Sequence, residues 1–151
     1  MAVIRKSAAR RDGAGPDSPL GAFEALLYSD SGGLTQFGAF VEVLQPGARS
    51  SDRHWHEQED EFLYMLEGAA TVVEDAGETV IGPGDACCWP RGVADGHMVV
   101  NHTAAPCAYL VVGTRLNDDI VHYSDIDKIL YRENGTRRLT RRDGTPFQTS
   151  D

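Results

Sequence analysis

The chain has 151 residues, enough to bury a core without disulfides or a structural zinc, and one domain is the expectation at this length. Hydrophobic residues make up 41% and charged residues 25%, near the globular norm, and no apolar run approaches the roughly 18–20 residues that a membrane-crossing helix needs. The net charge is −9, but residues 12–136 hold 21 of the 23 acids against six basic residues, and so acidic a body is expected to repel nucleic acid and anionic lipid.

Residues 1–19 are polar, basic and rich in Gly and Pro, and read as a flexible N-terminal arm or one ordered only by docking. Arg10-Arg11 is followed by Asp12-Gly13-Ala14-Gly15-Pro16 rather than by an apolar stretch, so no export signal is expected and a cytoplasmic location is. Leu20, Phe23, Leu26 and Leu27 have helical spacing over too short a span to define a helix. Strand signals begin after Ser31-Gly32-Gly33. Gly38 to Leu44 alternates and stops at Gln45-Pro46-Gly47; Glu61 to Leu66 is aromatic and aliphatic and stops at Gly68. Ala70 to Glu74 and Glu78 to Ile81 flank Asp75-Ala76-Gly77, a hairpin turn with Gly available for positive φ. Asp85 to Trp89 ends at Pro90, and His97 to His102 and Cys107 to Thr114 follow. Asn117 to Tyr131 reads as a short helix or as loop plus strand; Arg137 to Phe147 is a polar closing segment with an Asp143-Gly144 turn.

Short strands at intervals of about 8–12 residues indicate an all-β sandwich or barrel, and the absence of long helical periodicity argues against a parallel α/β sheet. Three cysteines, Cys87, Cys88 and Cys107, do not make a disulfide framework. Adjacent strand residues face opposite ways, so Cys87 and Cys88 cannot share a site, and all three are expected as buried free thiols.

The chemistry concentrates between Gly47 and Asn101. His54 and His56 are one residue apart on an extended segment and point to the same side. Glu61 lies five residues on, and His97 comes from a later strand. Three imidazoles and one carboxylate suit a divalent transition metal such as Fe, Mn, Ni, Co, Cu or Zn, without selecting among them.

The spacing of the whole set carries a resemblance. Six residues separate Gly47 from His54, four separate His56 from Glu61, and six separate Glu61 from Gly68. Five separate Gly84 from Pro90, four separate Gly92 from His97, and three separate His97 from Asn101. These segments resemble the two motifs of the cupin superfamily, G-x(5,6)-H-x-H-x(3,4)-E-x(6)-G and G-x(5)-P-x-G-x(2)-H-x(3)-N. The one departure is two extra residues before His97, in the loop Val93-Ala94-Asp95-Gly96, where insertion is cheap. Phrases such as Gly33-Leu34-Thr35-Gln36-Phe37-Gly38, Val111-Val112-Gly113-Thr114-Arg115 and Tyr123-Ser124-Asp125-Ile126-Asp127 look like a branch of small bacterial cupins described loosely as sugar-phosphate-isomerase-like.

The resemblance implies a double-stranded β-helix, or jelly-roll barrel, over about residues 34–115. It places the barrel in a single domain, 20–151, with a C-terminal extension over 116–151. It implies that His54, His56, Glu61 and His97 hold one metal inside the barrel, and that two chains pair as a homodimer. Met98 stands where many relatives in this branch carry a further histidine. Asn101 is expected in a structural turn contact, Asp60 at the surface, His102 and His122 outside the ligand set, and Trp89 in the core or pocket wall.

Four protein ligands leave one or two positions for water, a substrate oxygen or dioxygen. The expected function is that of a metal-dependent enzyme acting on a small-molecule substrate, by isomerase or lyase chemistry on a sugar-like compound. A dioxygenase and a non-catalytic small-ligand-binding or sensor protein are the alternatives. Catalytic groups are not defined by the sequence, with Glu61 and Tyr64 as weak candidates. Arg49 and Arg91 lie near the motif loops, where they could meet a phosphate at the mouth.

Overall fold

The computed structural model describes residues 2–149. In chain order the strands are β1 (Arg10–Ala14), β2 (Phe23–Leu27), β3 (Phe37–Leu44), β4 (His54–His56), β5 (Glu61–Glu67), β6 (Ala70–Glu74) and β7 (Gly77–Ile81). There follow β8 (Ala86–Trp89), β9 (Met98–Val100), β10 (Cys107–Thr114), β11 (Asp119–Tyr123), β12 (Ile129–Glu133) and β13 (Thr136–Thr140). All pair antiparallel, in a six-stranded sheet ordered β1-β2-β3-β10-β5-β8, a four-stranded sheet β13-β12-β11-β4 and a three-stranded sheet β7-β6-β9. A bridge between His54 and His97 ties β4 to the approach of β9. This is the jelly-roll architecture that the strand spacing and the resemblance pointed to.

Alternation on the pleat sets what lies inside. On β5, Leu63 and Met65 are buried while Phe62, Tyr64 and Leu66 are exposed; on β10, Cys107, Tyr109 and Val111 are buried. Across β3, β10 and β5 these residues stack in layers: Phe40, Val111 and Leu63 in one, Glu42, Tyr109 and Met65 in the next. The layer of Glu61 is different, because its partner on β10 is Gly113, which in turn faces Gly38 on β3. Neither position carries a side chain, and the Arg115 guanidinium lies over Gly38, 3.0 Å from where a Cβ would stand.

Residues 10–14 take the docked alternative for the arm, as the edge strand β1 against β2. Several elements depart from the sequence reading. The apolar residues at 20–27 serve a strand, not a helix, because β2 lies between two partners and buries Ala25 and Leu26. Asn117 to Tyr131 contains two strands, and the polar closing segment contributes β13. Cys88 is exposed, not buried, while Cys107 is fully enclosed, and all three cysteines are free.

Gly68, between β5 and β6, has φ of 73°, and a Cβ there would come within 2.8 Å of the carbonyl oxygen of Pro106. Gly68→Ala therefore meets both left-handed strain and a backbone clash, and a loss of about 1–3 kcal/mol is expected in denaturant unfolding.

Candidate metal centre

His54 and His56 lie on β4, a short strand paired through its backbone with β11. Alternation turns both rings into the barrel and Trp55 outward, where it stacks on His122 at 4.3 Å between ring centroids. Glu61 is the first residue of β5, and His97 immediately precedes β9. His54, His56 and Glu61 bring ligand atoms within 4.8 Å of one another, and His97 adjoins this group through Glu61. Glu61 Oε2 lies 3.1 Å from His97 Nε2, 3.7 Å from His56 Nε2 and 4.0 Å from His54 Nε2.

Hydrogen bonds at the far side of two rings decide which nitrogen faces the centre. His54 Nδ1 is 2.9 Å from the carbonyl oxygen of Asp52, an acceptor only, so Nδ1 carries the proton and Nε2 presents a lone pair. His56 Nδ1 donates to Asp119 Oδ2 at 2.7 Å, with the same result. Asp119 also accepts the backbone N–H of Gln58 at 2.9 Å and is enclosed. His97 is held differently: its ring lies flat on Trp89, with centroids 3.9 Å apart and planes 5° from parallel. Its Nδ1 is buried without a hydrogen-bond partner among the described residues. The indole N–H of Trp89 donates to Glu74 Oε1 at 2.8 Å, which fixes the platform.

Charge in this cluster is uneven. Burial disfavours protonation of His54 and pushes its pKa down. Burial acts the same way on His56, but its bond to Asp119 and the charge of Glu61 outweigh it, and the pKa is raised. Burial would raise the Glu61 carboxyl, yet the hydrogen bond from His97 and the surrounding imidazoles hold it below the usual range. For Asp119, burial is likewise outweighed by its bonds to His56 and Gln58, and the pKa is lowered.

The donor set fits a divalent transition metal. Bonds of about 2.1 Å place neighbouring ligands roughly 3–3.5 Å apart and opposed ones about 4 Å apart, the span found around Glu61 Oε2. Two oriented imidazoles with bare Nε2 atoms, a carboxylate and a third imidazole that, among the described residues, hydrogen-bonds that carboxylate alone make a coherent set. A second cluster, His56, Glu59 and Asp119, has another task, because Arg132 bonds Glu59 at 3.0 Å and approaches Asp119 at 3.6 Å. The guanidinium supplies the positive charge there, and the cluster braces His56.

Protons compete for the same Nε2 atoms, so the gain in melting temperature on adding zinc is expected to shrink from pH 7.5 to pH 5.5. The raised pKa of His56 and the lowered one of His54 make His56 charge before His54 as pH falls. Thermal melts with and without zinc across that range test this, and a pH-independent gain would contradict it.

The remaining sequence expectations sort by geometry. Asp60 is exposed, its carboxylate capping the N–H of Arg91 at 2.8 Å. Tyr64 is a correction: three residues after Glu61, it faces the opposite side of β5, is 39% exposed and takes no part in the centre. Asn101 is enclosed in the expected turn contact, donating to the carbonyls of Leu44 and Ala105. His102 is exposed and His122 pairs with Glu57 at 2.7 Å, both away from the cluster. Arg49 bonds Asp52, and the arginines that line the mouth are instead Arg115 and Arg132. Each is already paired, Arg115 with Asp30 and Arg132 with Glu59. Sequence reasoning missed Asp119 and Glu59. Glu59 stands in an acidic run that reads as solvated, yet it is buried.

The family model described as Cupin domain matches residues 40–113. A solved structure described as a sugar phosphate isomerase from a cupin superfamily, from Silicibacter pomeroyi, is 38% identical with a TM-score of 0.88, covering 97% of this chain and 96% of that one. One from Acidithiobacillus ferrooxidans, described by the same activity, is 29% identical with a TM-score of 0.78, covering 85% of this chain and 82% of that one. One described as an oxalate decarboxylase, from Thermotoga maritima, is 24% identical with a TM-score of 0.62, covering 76% of this chain and 99% of that one, a likeness of fold alone. No curated protein matches the chain.

Proposed function

Since the chain belongs to the cupin superfamily, we propose that it is a metal-dependent enzyme that isomerises, or cleaves by a lyase reaction, a small sugar-like substrate. The observation that carries this reading is the convergence of three imidazole Nε2 atoms on one oxygen of Glu61. His54, His56, Glu61 and His97 would hold the metal. Once bound, it supplies a Lewis acid that polarises a substrate oxygen. The names carried by the structures from Silicibacter pomeroyi and Acidithiobacillus ferrooxidans support the substrate class.

The chain's own residues do the rest. Asp119 and the Asp52 carbonyl hold the rings of His56 and His54, and Trp89 holds that of His97. The glycines beside Glu61 open the mouth, where a volume of about 270 Å³ is bordered by Gly38, Gly113, Arg115 and Arg132. A deeper cavity of about 180 Å³ lies on the other side of the ligands, between His54, Trp89 and Tyr109. Both are of a size for a substrate of a few carbons.

The test is elemental analysis of protein purified without a metal-affinity tag, followed by assays with small aldoses, ketoses and their phosphates, with oxygen uptake recorded. Oxygen-independent turnover is the expected result. Substrate-dependent oxygen consumption would replace this reading with a dioxygenase. Metal loading without turnover on any compound would leave a binding protein.

The exposed face of β5 supports a homodimer. Phe62, Tyr64 and Leu66 stand exposed there, and Phe37, Phe62, Cys88 and Val112 line a shallow apolar hollow of about 500 Å³. Light scattering at micromolar concentration is expected to give twice the chain mass; a monomeric mass would contradict it.

A further inference from the structure

The inner cavity contains a carboxyl group that metal binding does not use. Glu42 comes from β3 and Tyr109 from β10, and the two are direct partners across the ladder. Both point into the barrel, with Glu42 9% and Tyr109 1% exposed. The Tyr109 hydroxyl donates to Glu42 Oε1. Among the described residues the other oxygen, Oε2, takes no hydrogen bond, and no Lys, Arg or His pairs with this carboxylate. Both residues line the cavity of about 180 Å³ whose far wall is formed by His54, Glu61 and His97. A substrate seated against the ligands from this side lies between them and Glu42.

An isolated carboxylate in such a place is expensive to maintain, and a purely structural position would favour Gln or an apolar residue. A carboxyl that gains and loses a proton is what an aldose–ketose interconversion requires. Resting on the isomerase reading above, we propose that Glu42, positioned by Tyr109, is the proton-transferring group of this cavity for an α-hydroxy carbonyl substrate. The carboxylate takes the proton from the carbon beside the carbonyl. The C–H electron pair becomes the carbon–carbon double bond of an enediolate as the carbonyl pair moves onto oxygen. The carboxyl returns its proton to the former carbonyl carbon while the neighbouring hydroxyl passes its proton to the charged former carbonyl oxygen and becomes the new carbonyl, which completes the isomer and restores the carboxylate.

The electrostatics agree. Burial raises the Glu42 pKa, the hydroxyl of Tyr109 lowers it, and the charges of Glu61 and Asp12 raise it further, leaving it at about 7. The groups that face it are Tyr109 and Cys107 on β10, Glu61 on β5, Asp12 on β1, and His54 and His97 across the cavity.

The test is exchange of the C–H protons of dihydroxyacetone for deuterium in D₂O, followed by NMR with the metal-loaded full chain, together with metal content and the infrared carboxylic-acid band. Wild type is expected to exchange. Glu42→Gln is expected to keep its metal, lose the acid band seen in wild type at pH 6, and exchange at least about 100-fold more slowly. Tyr109→Phe removes the bond that lowers the Glu42 pKa, so its exchange persists with the rising limb of the pH profile moved to higher pH. Wild-type exchange in Glu42→Gln would overturn the proposal and leave the isomerase reading standing. Loss of metal in that variant would overturn it by making Glu42 part of the metal centre. No exchange by wild type would defeat the isomerase reading and this proposal with it. Should Glu42→Gln fail to fold, Tyr109→Phe decides: an unmoved pH profile overturns the assignment.

Discussion

His56→Ala is expected to leave the protein folded and nearly free of metal when purified beside a fully loaded wild type. The substitution removes one of three imidazoles and leaves Glu61 with less positive surroundings. It also strips Asp119 of its imidazole partner, so the enclosed carboxylate keeps the N–H groups of Gln58 and Ile120 and the more distant Arg132. Loss of a ligand is expected to exceed the roughly 10–100-fold that removal of a supporting hydrogen bond costs in metal affinity. Glu61→Gln should weaken binding less, because an oxygen survives while its charge is lost. Elemental analysis and competition with a chelator measure both, and full occupancy in His56→Ala would defeat the four-residue assignment.

Asp119→Ala is expected to be the most damaging change at a residue that touches no metal. Its carboxylate is fully enclosed and joins the His56 ring, the Gln58 N–H and the Arg132 guanidinium. Removing it leaves a buried donor and part of a guanidinium without a partner, and breaking such a buried pair costs about 3–5 kcal/mol. The sign of the pH dependence follows from its lowered pKa. Its stabilisation is present above the ordinary aspartate range and is lost as pH falls through the depressed value. The difference in stability between wild type and Asp119→Ala should therefore narrow in acid. Metal affinity should also fall, by about 10–100-fold, since the His56 ring is no longer held. Denaturant unfolding at pH 7 and pH 3 with chelator present separates the two effects; a constant difference would contradict the linkage.

What could be read along the chain was whatever depends on local periodicity. Strand alternation put His54 and His56 on one face, and glycines and prolines marked the turns between short strands. The same parity rule, applied to Glu61 and Tyr64, excludes Tyr64, so that correction was available without a structure. The spacing of His54, His56, Glu61 and His97 was legible because residues proposed to share one site must recur at fixed places on a repeated scaffold. The rest was set by partners far away in sequence. Glu59 looks solvated among its acidic neighbours until Arg132, on β12, closes over it. Asp119 has no local signal, since its role exists only because β11 pairs with β4 and brings it beside His56. Glu42 alternates like any half-buried strand residue, and only the facing of β3 on β10 gives it Tyr109 and a cavity. Local sequence determined which way each side chain leaves its own strand. Tertiary structure decided what it meets, because burial and charge pairing are properties of the neighbours that closure of the barrel supplies.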